Sequence, residues 1–505
     1  MKDKRCFHVL RPCYICLLVL FCLCLSITFG YSQESLTSDS TLTQTISAIL
    51  DDPVFHTAFE GVFIQRLKDQ HVLYERNADR VFLPASNNKI LTSLAALSEL
   101  GADYTYHTTL LAAGHLTRDG VLHGNLIIRG SGDPTLTDKE LQEMAQEARK
   151  HGLRRVLGTL LYDDSLFDKQ WLGVVWAWDD EPYYYSAEIS ALNVDGNLIT
   201  VHLMPGRKVG APVRVETSPI TNYLRMENQA VTGPPKSQNT LFCTRLEGRN
   251  TLLITGQLPI DIKPSDEPTL RLTILDPARY TATILLKELQ DAGVHFDHTR
   301  ILEIPQEPDN AVPLVDHESA PLATILHLMN KPSNNLIAEC LLKTVGAKAT
   351  GKGTGGVDGS AVQTARKIFQ KAGLIMDEVR QADGSGLSRI NFVSPRDLVI
   401  ALSFLAKQPY FGVFYDSLPI AGVDGSLYYR MKETPAAGNC HAKTGYVSQV
   451  NTLSGYVMDK DGDTIVFSIM FNNCLAPYSA CTSAQDRIVE ALADWSDTKT
   501  ALKRP

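Results

Sequence analysis

Apolar residues recur every three or four positions at Ile90, Leu91, Leu94 and Leu97. Pro84 stands before them and Gly101 after, so the period predicts one helix over 84–101, with Pro84 in the first turn and Gly101 as a left-handed cap. Another helix is expected near Leu42–Leu50. Between the two, Gly61–Arg66 and His71–Glu75 flank Lys68-Asp69-Gln70 and predict a hairpin. From about 102 to 275 the texture changes to short strand-like runs, Tyr106–Leu111, Gly124–Arg129, Arg155–Tyr162, Leu198–Met204 and Thr251–Gly256, broken by Gly, Pro and Asp. This predicts an inserted, β-rich region over 102–275, with a nested subdomain near 205–265. Helical periodicity returns at Pro277–Ala292, Leu322–Asn330, Leu336–Thr344 and about Pro395–Ala406. Strands are expected at Thr452–Met458 and Thr464–Asn472, joined by the turn residues Asp459–Asp463, and a closing helix at about Ser483–Trp495. The tail can thus complete the sheet begun at residue 61, and the whole reads as α+β and multidomain.

Length and charge narrow the partners. At 505 residues the chain exceeds one compact core, and 44% hydrophobic with 21% charged residues is ordinary for a globular protein. The formal charge of −8 makes it a poor nucleic-acid binder. At the amino terminus, basic residues precede an apolar run from Tyr14 to Phe29 and small residues around Ser26–Gly30. That order predicts a secretory signal peptide over 1–30, the other reading being an uncleaved anchor. Five of the ten cysteines fall in this leader; Cys243, Cys340, Cys440, Cys474 and Cys481 remain. Cys474 and Cys481, with six residues between them in an exported chain, are the expected disulfide. No pair has Cys-x-x-Cys spacing with accompanying histidines, so no metal is expected. Gly346–Gly353 approaches a phosphate-binding loop but has Gly353 at the Ser/Thr position and a helix before it; it reads as a flexible glycine loop.

Ser86 and Lys89 share one face at the start of the first predicted helix. A serine hydroxyl becomes a nucleophile when a neighbouring base takes its proton, and a lysine amine can do so when desolvation or a nearby cation holds it neutral. Ser-x-x-Lys alone arises by chance. Ser333-x-Asn335, in a turn between two helices, and Lys443-Thr444-Gly445, at a strand, then follow in order. The ordered trio is that of penicillin-binding proteins and class A β-lactamases. One further loop stands out: Trp171–Tyr185 holds three Trp, three Tyr, Asp179, Asp180 and Glu181, as a satellite core or as an acidic, aromatic-lined subsite.

With the insertion between Ser86 and Ser333, and with Arg129–Leu136, Asp383–Arg389, Leu418–Leu427 and Lys443–Val457, nearly all of the chain after the leader resembles the class C low-molecular-mass penicillin-binding proteins. These are D-alanyl-D-alanine carboxypeptidases/endopeptidases of the penicillin-binding protein 4 type. The resemblance implies a penicillin-recognising, serine transpeptidase-like domain, an antiparallel sheet flanked by helices, formed by 31–101 and 276–505 around the insertion. It also implies secretion across the inner membrane to a periplasmic or wall-facing place, with peripheral membrane contact left open. The substrates would be peptidoglycan stem peptides and cross-links, β-lactams would acylate and inhibit, and no metal or organic cofactor is called for. Carried over, Ser86 is the nucleophile, Lys89 its proton acceptor and Ser333 the relay to the leaving amine. Asn335 would hold the acyl-side amide and Lys89, Lys443 and Thr444 the substrate carboxylate, and the backbone N–H groups of Ser86 and Tyr446, after Gly445, the oxyanion. Asp180, Arg389 and Ser448 map to residues that grip a meso-diaminopimelate side chain. Tyr446 replaces the Ser or Thr common in relatives, and Ser448 is short for its contact. A serine β-lactamase and a non-catalytic wall-binding protein are the competing readings.

Overall fold

The computed structural model describes residues 38–219, 221, 223–246 and 248–497, so the expected signal peptide lies outside the described residues. The two ends of the described chain meet in one antiparallel sheet. Its strand order is His441–Val447, Val450–Met458, Thr464–Asn472, Phe59–Arg66 and Val72–Arg76. The last two are the predicted hairpin, and the tail strands complete the sheet as the sequence suggests. Side chains alternate across a strand. Ile465, Phe467 and Ile469 therefore enter one core with Ile64, the helix Ser38–Leu50 and the helix Tyr478–Asp494. Val466 and Met470 enter another with Phe63, the helix Asn88–Glu99 and the helix Pro395–Leu405. Covering both faces is why Thr464–Asn472 reads as an almost unbroken apolar run; each such buried side chain contributes roughly 1.5–3 kcal/mol.

A seven-stranded sheet forms the second body. His107–Leu116 pairs with Val121–Arg129 and, on its other side, with Ala311–Glu318; the short strands Arg155–Val156, Leu160–Asp163, His295–Phe296 and Ile301–Glu303 complete it. The helices Asp138–Lys150 and Pro277–Asp291 bury Leu141, Ala145, Leu285 and Leu289 with Leu126 and Leu160. Two features correct the sequence reading here. The region is not simply β-rich, because Asp138–Lys150 is a helix, started by a capping box in which Thr137 N–H donates to Glu140 Oε2 at 2.7 Å. Pairing and packing also continue through 277–318, so the boundary expected at 275 falls inside this body. Small sheets built from strands between Leu198 and Thr273 extend it.

Two local expectations change. The helix predicted over 84–101 begins as a 3-10 turn, Ala85–Asn87, with Ala85 at φ 45°, and becomes α-helical at Asn88–Glu99; Gly101 takes the left-handed cap at φ 82°. The glycine loop is largely helix, since Asn335–Thr350 runs through Gly346. A Cβ there would lie 2.5 Å from Ala361 N on the neighbouring helix Ser360–Ala372, so glycine serves close helix packing rather than flexibility. Cys474 and Cys481, the expected pair, are brought together by the strand end and the first turn of the last helix, with their sulfur atoms 2.9 Å apart.

Candidate active site

Ser86 lies in the 3-10 turn that feeds the helix, and Lys89 follows one turn later. Lys89 Nζ is 3.0 Å from Ser86 Oγ, 2.7 Å from Asn335 Oδ1 and 2.8 Å from the Ser385 carbonyl. An ammonium can donate to all three; a neutral amine donates to the two carbonyl oxygens and turns its lone pair to the serine hydroxyl. Complete burial moves Lys89 down to about 7, with Asp383 and Glu339 pulling the other way. Near neutrality a large share of this amine is therefore free to accept a proton.

The edge strand His441–Val447 runs alongside that turn. A Cβ on Gly445 would stand 3.0 Å from Ser86 N and 2.8 Å from Pro84 O, so only glycine lets the strand come this close to the serine's backbone N–H. Thr452, on the next strand, ties the turn by donating to Pro84 O at 2.8 Å. Lys443 is wholly buried, and its amine is held well below the usual lysine range by burial and by Lys89. Its Nζ donates to the Thr444 carbonyl at 2.9 Å. Thr444 Oγ1 lies 2.6 Å from Ser426 Oγ, a hydroxyl pair at the rim.

Ser86, Ser333, Asn335, Thr444, Tyr446, Ser448, Asp180 and Arg389 line one cleft of about 770 Å³; Lys89 is buried behind Ser86 and Asn335, and Lys443 and Gly445 stand on the strand that carries Thr444 and Tyr446. Ser333 is placed by a left-handed turn at φ 65°, just before the helix that carries Asn335. Asn335 Nδ2 donates to the Tyr185 carbonyl at 2.8 Å, and Tyr185 Oη donates to Asp180 Oδ1 at 2.8 Å, which draws the aromatic loop to the site. Arg389 Nη1 donates to the Ser448 carbonyl at 3.1 Å. Trp178 is exposed, whereas Trp176 Nε1 donates to Asp383 Oδ2 at 2.9 Å. The loop thus contributes both to packing and to the cleft.

Sequence reasoning missed Ser426, Asp383 and Glu339. Asp383 ties its own loop together, accepting from Gly386 N at 2.8 Å and Ser388 N at 2.6 Å. Glu339 accepts from the N–H groups of Gly384 and Ser385. A signal for it existed: Glu339 and Lys343 are the two charges inside a mostly apolar stretch, Leu336–Val345, that is buried all round. Among the described residues no group of His, Cys, Asp or Glu could hold a metal ion.

With this geometry in place, comparison with known proteins gives consistent matches. A model of the D-Ala-D-Ala carboxypeptidase 3 (S13) family matches residues 42–498. The D-alanyl-D-alanine carboxypeptidase of Actinomadura sp. (strain R39) is 37% identical over 469 residues, which is 90% of this chain and 85% of that protein. D-alanyl-D-alanine carboxypeptidase DacB of Haemophilus influenzae is 28% identical over 417 residues, 82% of this chain and 85% of the relative. The crystal structure of penicillin-binding protein 4 (dacB) from Haemophilus influenzae superposes with a TM-score of 0.80 at 25% identity, covering 89% of this chain and 99% of that one. The Haemophilus protein has also been solved in complex with a β-lactam.

Proposed function

Since the chain belongs to the D-Ala-D-Ala carboxypeptidase 3 (S13) family, we propose that its cleft releases the terminal D-alanine of peptidoglycan stem peptides through an acyl-enzyme on Ser86. The observation that carries the assignment is the 3.0 Å contact between Lys89 Nζ and Ser86 Oγ in a fully desolvated setting. Lys89 takes the hydroxyl proton as Ser86 Oγ bonds to the carbonyl carbon of the scissile peptide. Ser333 passes a proton to the departing D-alanine amine as the C–N bond breaks, and water then hydrolyses the ester. The N–H groups of Ser86 and Tyr446 hold the oxyanion; losing one such donor typically costs about 2.7–4 kcal/mol of barrier. Lys443, whose amine is held below the usual lysine range by burial and by Lys89, binds the substrate carboxylate, which favours its charged form, while Thr444 and Ser426 hydrogen-bond the same group.

The same acylation opens peptide cross-links when the leaving amine belongs to a second stem peptide, and β-lactams acylate Ser86 in place of substrate; the β-lactam complex of the Haemophilus relative supports this. No helix among the described residues is long and apolar enough to cross a membrane. The reading places the enzyme outside the inner membrane, facing the wall, with 1–30 as the leader that exports it.

Two measurements test this. Purified protein incubated with muropeptides should release D-alanine and open cross-links, and the labelled peptide after fluorescent penicillin should contain Ser86; binding without release, or an adduct elsewhere, rejects the assignment. Asp180 and Arg389, both on the cleft wall, are assigned to the two charged ends of a diaminopimelate side chain. Arg389→Ala should lower kcat/KM about tenfold, the scale of one charge-assisted contact, on diaminopimelate peptides and by much less on lysine peptides, which lack the side-chain carboxylate. An equal loss on both substrates removes that assignment.

A further inference from the structure

Glu339 lies one turn beyond Asn335 on the same face of the helix Asn335–Thr350 and is almost wholly buried. Its carboxylate oxygens accept from two successive main-chain N–H groups, Gly384 at 2.9 Å and Ser385 at 2.8 Å. The carbonyl of that same Ser385 accepts from Lys89 Nζ at 2.8 Å. One helix therefore reaches the lysine twice: directly through the Asn335 amide, and through the Ser385 peptide held by Glu339. Among the described residues Glu339 forms no ion pair. Burying an unpaired carboxylate is unfavourable, so stability alone gives no reason to keep one here.

We propose that Glu339 is a positioning residue for Lys89, clamping the peptide whose carbonyl takes one of the lysine's N–H bonds and setting the field in which that amine holds its proton. The proposal rests on Lys89 being the proton acceptor. The charged and titratable groups around the pair come from each neighbouring element. Asp383 stands in the clamped loop, and Lys443 sits on the edge strand. Lys343 follows one turn after Glu339 and is occupied by Asp168 at 2.7 Å, and the Cys340 thiol adjoins it, pushed up by burial. Burial first, and then Asp383, raise the Glu339 carboxyl to about 7, the same range as Lys89.

Glu339→Gln keeps the shape but can accept only one of the two loop N–H groups. Its acylation by fluorescent penicillin, measured against pH with melting as the folding control, should fall about tenfold at the plateau, equal to about 1.4 kcal/mol. Its acid limb should also move to lower pH, because the negative charge that held a proton on Lys89 is gone. Glu339→Asp, which keeps the charge, should hold the wild-type limb with a lowered plateau. A Glu339→Gln profile matching wild type overturns the proposal, and so does a lowered plateau with an unmoved limb, which loosened packing alone would give. If Glu339→Gln does not fold, a wild-type plateau in Glu339→Asp overturns it; failure of both to fold assigns Glu339 to stability and overturns it too. Absence of acylation in the wild type would instead remove the functional assignment on which the proposal stands.

Discussion

Ser86→Ala is expected to lose acylation by penicillin and release of D-alanine by roughly 10⁴-fold or more, because removing a nucleophile removes the covalent route. The hydroxyl hydrogen-bonds Lys89, and the turn around it is held by other groups: Thr452 on Pro84 O, and the close fit of Gly445. The variant should therefore fold, melt near wild type and still bind peptide non-covalently. Intact mass after incubation with penicillin reads the outcome directly. A Ser86→Ala protein that gains the penicillin mass at the wild-type rate would place the nucleophile elsewhere.

Lys89→Met carries the second large effect, a fall in acylation of about 10²–10⁴-fold, the range general-base catalysis supplies. The thioether removes the cost of desolvating the amine but leaves the Asn335 Oδ1 and Ser385 carbonyl acceptors without this donor, so melting is measured alongside. The pH dependence has a definite sign. With Lys89 held at about 7, wild-type acylation rises as pH increases through that value, because only the neutral amine accepts the proton. The folded protein also binds fewer protons at this site than the unfolded chain does between about 7 and the ordinary lysine value of 10.5. Over that window the wild type gains stability as pH rises, whereas Lys89→Met loses that slope. Chemical denaturation at several pH values measures it. An unchanged slope in the variant would mean the native amine is not depressed.

The short motifs were legible because the chemistry constrains residue type at fixed spacing: Ser86 with Lys89, Ser333 with Asn335, and Lys443-Thr444-Gly445. The central sheet was legible for a related reason, since Thr464–Asn472 must be apolar on both faces and Phe59–Arg66 must pair beside it. What stayed hidden depends on partners distant in sequence. Glu339 stands out as a charge in a buried helix, but its task is not readable until the 384–385 peptide folds over it. Gly346 looks like a loop residue until Ala361 presses against it. The helix Asp138–Lys150 carried its own start signal in Thr137 and Glu140, yet the surrounding strands gave the region a β texture. The limit of the second body was equally obscure, because Pro277–Asp291 shows helical period without showing which sheet it covers.

The strand order has a consequence for biogenesis. The Leu83 N–H next to the Ser86 turn finds its acceptor on Asn472, 389 residues further along. While the polypeptide is still emerging, the amino-terminal hairpin has no edge to zip against, and Lys443 and Gly445 do not yet exist to close the pocket. Long loop closure of this kind comes late in folding. The cleft is therefore completed only when the final strands join the sheet.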